Sequence, residues 1–132
     1  MGVIYVARSV KLGVWAADVG LSKHVYKVGV TNEPVKPLVA AGWAGETDWT
    51  LVKQEPAALS EEDVLTRLAR KEKPIDPKYY PRIRETRGLF KVDPLHVESH
   101  IIVSRALEGA ERAPLRLKPA DFAAYLIHNA LR

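Results

Sequence analysis

The sequence predicts an α/β domain of the α+β kind, in which a small, mainly antiparallel sheet of three to four strands is flanked by helices. Three observations carry this expectation. Residues 2–8 and about 24–30 are rich in Val, Ile and Tyr, and the second stretch alternates as a half-buried strand does. The stretches after Ser60 and after Asp93 start on capping residues and then repeat apolar side chains at helical spacing. Short apolar runs bounded by Gly and Pro lie between them, which suits strands interleaved with helices. A chain of 132 residues is long enough to bury a real core, and 1–132 reads as one domain.

Gly2-Val3-Ile4-Tyr5-Val6-Ala7 opens the chain as a first strand. Residues 9–22 are open between a long connection and one helical turn with Trp15 packed inward. Val25-Tyr26-Lys27-Val28-Gly29-Val30-Thr31 is a second strand, and its period of two puts Val28 and Val30 on one face and Lys27 and Gly29 on the other. The two strands read as a hairpin with an elaborated loop. Asn32 is the expected cap of a short helix carrying Val35, Leu38 and Val39 and ending at Gly42; Pro37 removes one early hydrogen bond from it. Residues 43–48 form a turn. Trp49 to Gln54 reads as a third strand that ends at Pro56. Ser60 and Asp63 resemble a capping box, and the helix they start turns Val64, Leu65 and Leu68 inward. Residues 73–87 hold three prolines and read as an ordered, irregular connection. Gly88 to Val92 is a short strand. Asp93 and Pro94 then start a helix that Gly109 ends. After a connection rich in Arg and Pro comes a final helix over 118–131, with Phe122, Leu126 and Ala130 at helical spacing beside Tyr125.

Composition narrows the function classes. There is no cysteine, which excludes disulfides, cysteine-based zinc sites and a cysteine nucleophile, and fits a reducing cytoplasm. Lys and Arg number 20 against 16 Asp and Glu, so the net charge is +4, which permits nucleic-acid binding without demanding it. No stretch approaches the roughly 18 apolar residues of a membrane span, and no leader pattern opens the chain; the expectation is a soluble cytoplasmic protein with no membrane partner. No glycine-rich phosphate loop is present.

A tyrosine on the first strand, Ile4-Tyr5 after Gly2, and Lys27-Val28-Gly29-Val30-Thr31 ending the second resemble the GIY-YIG nuclease superfamily, and in particular its phage-type branch with Lys-Ile-Gly-x-Thr at the second motif. The order of the later pieces is similar too: a third strand, a helix bearing a glutamate, a Gly-x-Phe-x-Val strand at Gly88–Val92, and another helix. The resemblance covers about 2–105, and the C-terminal helix over 118–131 lies outside it. It implies a metal-dependent nucleic-acid endonuclease with one Mg2+ or Mn2+ ion. Tyr5 and Lys27 would position the water and the phosphate, and Glu62, with Glu61 as the alternative, would hold the metal. Thr31, which ends the second motif, would contact the nucleic acid beside this set, or simply shape the turn before the helix. The departures are specific. The family's arginine position falls on Pro37, next to Lys36, which supplies charge without the bidentate fork. Thr66 stands where the branch often has a histidine, and Leu89 stands where a glutamate precedes the late aromatic. The same resemblance therefore also implies a catalytically inactive nucleic-acid-binding or protein-interaction module on the same fold.

Further candidates lie outside that resemblance. Tyr79 and Tyr80 followed by Arg82, Arg84 and Arg87 combine aromatic and basic side chains, as a nucleic-acid strand requires for stacking and phosphate contact; the plainer reading pairs these arginines with Glu85 and its neighbours. His96 and His100 share a helix face at i, i+4, but Val97 stands where a zinc-protease motif needs glutamate, so they read as surface histidines. The C-terminal helix is the expected contact of a homodimer.

Overall fold

The computed structural model describes residues 2–84, 86–109 and 116–132. Five strands form one sheet in which every neighbouring pair is antiparallel, one or two strands more than the sequence pattern shows. They are β1 (Gly2–Arg8), β2 (Val25–Thr31), β3 (Thr50–Ala57), β4 (Lys73–Pro74) and β5 (Leu89–Lys91), in the order β3-β1-β2-β5-β4. The helices are α1 (Val10–Asp18), α2 (Val35–Ala41), α3 (Glu61–Ala69), α4 (Pro94–Glu108) and α5 (Pro119–Leu131), with a 3-10 turn at Pro81–Ile83. Among the described residues, no helix is long and apolar enough to cross a membrane.

The connection between β1 and β2 is a helix. Ser9 caps α1 by accepting from the Leu12 N–H at 3.1 Å, and its hydroxyl donates to Asp48, which fixes the helix to the loop before β3. Leu12 and Ala16 are buried beneath it, and Trp15 is half-buried. The start of α2 differs from the sequence expectation: Pro34 stands at the cap position, not Asn32, and no side chain caps it. Pro37 is harmless there, because it is the third helical residue and the N–H it lacks would have no intrahelical partner. β3 runs on through Pro56 to Ala57 instead of stopping before it. It is an edge strand, so a proline can face outward without breaking a ladder bond.

Register divides the side chains into two cores. Ile4, Val6, Tyr26 and Val28 face α3 and α5, where Phe122, Leu126, Ile127, Val64 and Leu68 meet them. Tyr5, Ala7, Val25 and Leu89 face the other side, under α1, α2 and Trp49. Phe122 stacks on Tyr26 with ring centroids 5.2 Å apart, and Arg67 donates to the Ala130 carbonyl at 3.2 Å to join α3 to α5. The sequence reading leaves the C-terminal helix free for a homodimer contact. In the structure Phe122, Ala123, Tyr125, Leu126, Ile127 and Ala130 of α5 are buried within the chain, so its apolar face is already occupied. Phe122, Leu126 and Ile127, fully buried, contribute roughly 1.5–3 kcal/mol each. The Arg- and Pro-rich connection after Gly109 lies largely outside the described residues.

Candidate functional site

β2 outruns its neighbour β5, and the site is built where it does so. Lys27 pairs with Leu89, and the Val28 N–H still finds a partner in the Gly88 carbonyl at 2.8 Å. Two residues on, the Val30 N–H has no strand opposite it. Glu61, the first residue of α3, accepts from it at 3.0 Å. An open backbone donor thus draws one carboxylate to the end of the strand.

Tyr5 is the register partner of Gly29. A Cβ added at Gly29 would lie 2.3 Å from the Tyr5 hydroxyl and 2.7 Å from Glu61 Oε1, so both groups occupy the space that the missing side chain leaves. Lys27 lies on the same face and is only 5% exposed. Its ammonium is 5.8 Å from the centre of the Tyr5 ring and 5.4 Å from that of Trp43. It donates to the Val28 carbonyl at 3.2 Å. Tyr5 and Trp43 are stacked 5.8 Å apart, and Trp49 packs edge-on against Trp43, donating to its carbonyl at 2.9 Å. Beside the same ammonium, Gly88 has φ +80, and a Cβ there would lie 2.3 Å from the Val28 carbonyl and 3.0 Å from Lys27 Nζ. Glycines at 29 and 88 are therefore conditions for placing the hydroxyl, the ammonium and the carboxylate together.

The electrostatics follow from burial. Burial lowers the Lys27 ammonium to about 8; Glu61 opposes the shift, and Arg87 adds to it. Tyr5 is raised, first by burial and then by the Glu61 carboxylate. Its phenol stays protonated at neutral pH and is a hydrogen-bond donor, not a phenolate base. The cluster offers one neutral donor, one cation held in an aromatic box with a single carbonyl bond, and one carboxylate.

The other sequence candidates are distributed as follows. Of the two glutamates, Glu61 makes the bond to the strand end; Glu62 is exposed one position further on. Thr31 accepts from the Glu33 N–H at 3.0 Å and so shapes the turn into α2, while also lining a cavity of about 460 Å3 with Glu61, Asn32 and Ser60. Lys36 is exposed on α2. Tyr79 is 79% exposed, and Tyr80 packs edge-on against Trp15 at 5.9 Å. Arg82 is structural: it donates to the Ala44 carbonyl and pairs with Glu46 at 3.5 Å, bracing the loop that carries Trp43. Glu85 lies outside the described residues. Arg84, at φ 51, lies against Gly45. Arg87 is exposed and close enough to Lys27 to depress its ammonium.

Two groups escape the sequence reading. Trp43, the aromatic wall of the lysine box, sits in a stretch whose only sequence signal is that of a turn. Glu72 is the other: its side chain is 2% exposed, and it accepts from the Tyr125 hydroxyl at 2.7 Å, the Asp93 N–H at 2.7 Å and His96 Nδ1 at 2.6 Å. Its one signal is an acidic residue inside the basic run Arg70-Lys71-Glu72-Lys73. His96 is exposed, as a surface histidine is expected to be, and yet both histidine rings have partners. His96 is held by Glu72, and His100 lies 4.8 Å from His128, ring to ring.

Comparison with protein-family models, with curated proteins and with solved structures yields no match.

Proposed function

We propose that the chain is a divergent GIY-YIG-like phosphodiesterase that cleaves nucleic acid with the help of one divalent cation. The observation that carries the reading is the meeting of Tyr5 and Glu61 over Gly29, with the Lys27 ammonium 5.8 Å from the centre of the Tyr5 ring. Phosphodiester cleavage needs charge placed against phosphoryl oxygens and a donor or acceptor at the attacking water. Lys27 supplies the charge from a desolvated site, where it acts more strongly than in water. Tyr5, protonated, donates to a phosphate oxygen or orients the water. Arg87, beside Lys27, offers the fork that Pro37 removes from the family's usual position.

The donor set suits a hard cation such as Mg2+ or Mn2+ in one manner only. Glu61 uses one oxygen on Val30 and has a second oxygen for a metal, and magnesium is commonly held by one or two carboxylates with waters and substrate phosphate completing its shell. Among the described residues, no group of three or more His, Cys, Asp or Glu side chains could hold a metal. When bound, the ion would polarise the phosphate and lower the pKa of a coordinated water.

The second reading, phosphate binding without cleavage, is favoured by Pro37 at the arginine position and by exposed Lys36. Supercoiled plasmid incubated with Mg2+ or Mn2+ separates the two. Nicking that is lost in Glu61→Gln and kept in Glu62→Gln is the expected result. Salt-sensitive DNA binding with no nicking under either metal would replace it with the binding module.

A further inference from the structure

We propose that a second pocket, at the end of the sheet formed by β4 and β5, binds a phosphate group. The pocket has a volume of about 500 Å3, and three lysines line it: Lys71, Lys73 and Lys91. Lys73 and Lys91 are direct partners in the antiparallel register, so their side chains leave the same face of the sheet. Like charges placed directly opposite one another destabilise a strand pair. Among the described residues, no ion pair relieves them; Lys71 has none either.

The nearby carboxylates are already engaged. Glu72 accepts from Tyr125, Asp93 and His96, and Asp93 accepts from the Leu95 N–H at 2.9 Å as the cap of α4. Hydrogen bonding to Glu72 raises His96, so the Glu72–His96 pair moves toward a neutral ion pair within the pocket. His96 Nε2 also lies 3.8 Å from Asp93, so both acids of the pocket share this histidine, and neither is paired with one of the three ammoniums. A pocket that keeps a like-charge pair unrelieved and its acids occupied is suited to a ligand that brings the missing negative charge. A phosphate oxyanion has the charge and the acceptor count for several ammonium donors. The phosphate can belong to a nucleic-acid strand or to a free phosphate compound. The site is separate from Tyr5, Lys27 and Glu61 and does not depend on their activity.

The test compares the protein with the double variant Lys73→Gln, Lys91→Gln in a thermal melt, with inorganic phosphate in one arm and a short oligonucleotide with or without a 5′-phosphate in another. Chloride at matched ionic strength is the control. Without ligand, the double variant is expected to melt at the same temperature or higher, since a repulsive pair has gone. Phosphate at tens of millimolar is expected to raise the melting temperature of the unaltered protein and of Glu61→Gln, and to leave the double variant unmoved. A response to the oligonucleotide alone, lost in the double variant, assigns the phosphate to nucleic acid. No response in either arm beyond chloride, or an equal response in the double variant, overturns the proposal.

Discussion

Lys27 and Glu72 are both buried charges, and their surroundings are opposite. Glu72 is surrounded by three donors, from Tyr125, Asp93 and His96, and these join the end of α3 to α4 and α5. Lys27 has one hydrogen bond, to the Val28 carbonyl, and otherwise faces two aromatic rings. A buried charge whose bonding capacity is met is a structural fastener. A buried charge left short of partners costs stability, and its neighbours show where a ligand would complete it. The Tyr5, Lys27 and Glu61 cluster sits at the costly end of this comparison, which is why it, and not the better-bonded Glu72 network, is the candidate active site.

The contrast is sharpest in stability. Glu72→Ala strands the Tyr125 hydroxyl and the Asp93 N–H at the α3, α4 and α5 junction and should cost about 2–4 kcal/mol, read by denaturant unfolding. Lys27→Met should act in the other direction and stabilise the fold at pH 7 by about 2 kcal/mol, while plasmid nicking falls to background. The sign follows from linkage. The folded pKa of about 8 lies below the ordinary lysine value of 10.5, so the unfolded chain binds more protons between those two values. Stability contributed by this group is therefore missing below pH 8 and is recovered as the pH rises toward 10.5. That rise should vanish in Lys27→Met, and a flat profile in both proteins would break the comparison.

Gly29→Ala should cost about 1–3 kcal/mol from overpacking, since its Cβ would meet Tyr5 and Glu61, and it should abolish nicking. The smallest effect belongs to His96. Its pKa is raised, first through the hydrogen bond to Glu72, so its contribution is fully present below the unfolded value of about 6.5 and is lost as the pH rises through the folded one. With its side chain 51% exposed, His96→Gln should destabilise by less than about 1 kcal/mol at pH 5.5, and by less again at pH 9, in paired unfolding curves.

Much of the sheet was legible because period two is a strong signal. Lys27 and Gly29 could be put on one strand face from alternation alone, whereas the unbroken apolar run Val3–Ala7 gives Tyr5 no face of its own; Asp93-Pro94 and Gly109 bounded α4 closely. The helix α1 was harder to read, because its glycine at position 13 and short apolar runs mimic a loop; Gly13 is required where the Lys23 carbonyl would lie 2.9 Å from a Cβ. The two-residue strand β4 carries no pattern of its own and exists by pairing with β5. Glu61 and Glu62 are neighbours on a first helical turn, about 100° apart around the axis, and sequence does not say which one meets an open N–H 31 residues away. The partners of Arg82 and Glu72 lie in distant segments, so tertiary packing alone reveals them.

The most direct measurement is an NMR titration of the Lys27 side chain, alone and with a short oligonucleotide, using Lys27→Met to assign the resonance. The account predicts an amine that titrates near 8 in the free protein and moves upward when phosphodiesters occupy the cleft. An amine that titrates near its ordinary value and ignores the oligonucleotide would contradict it.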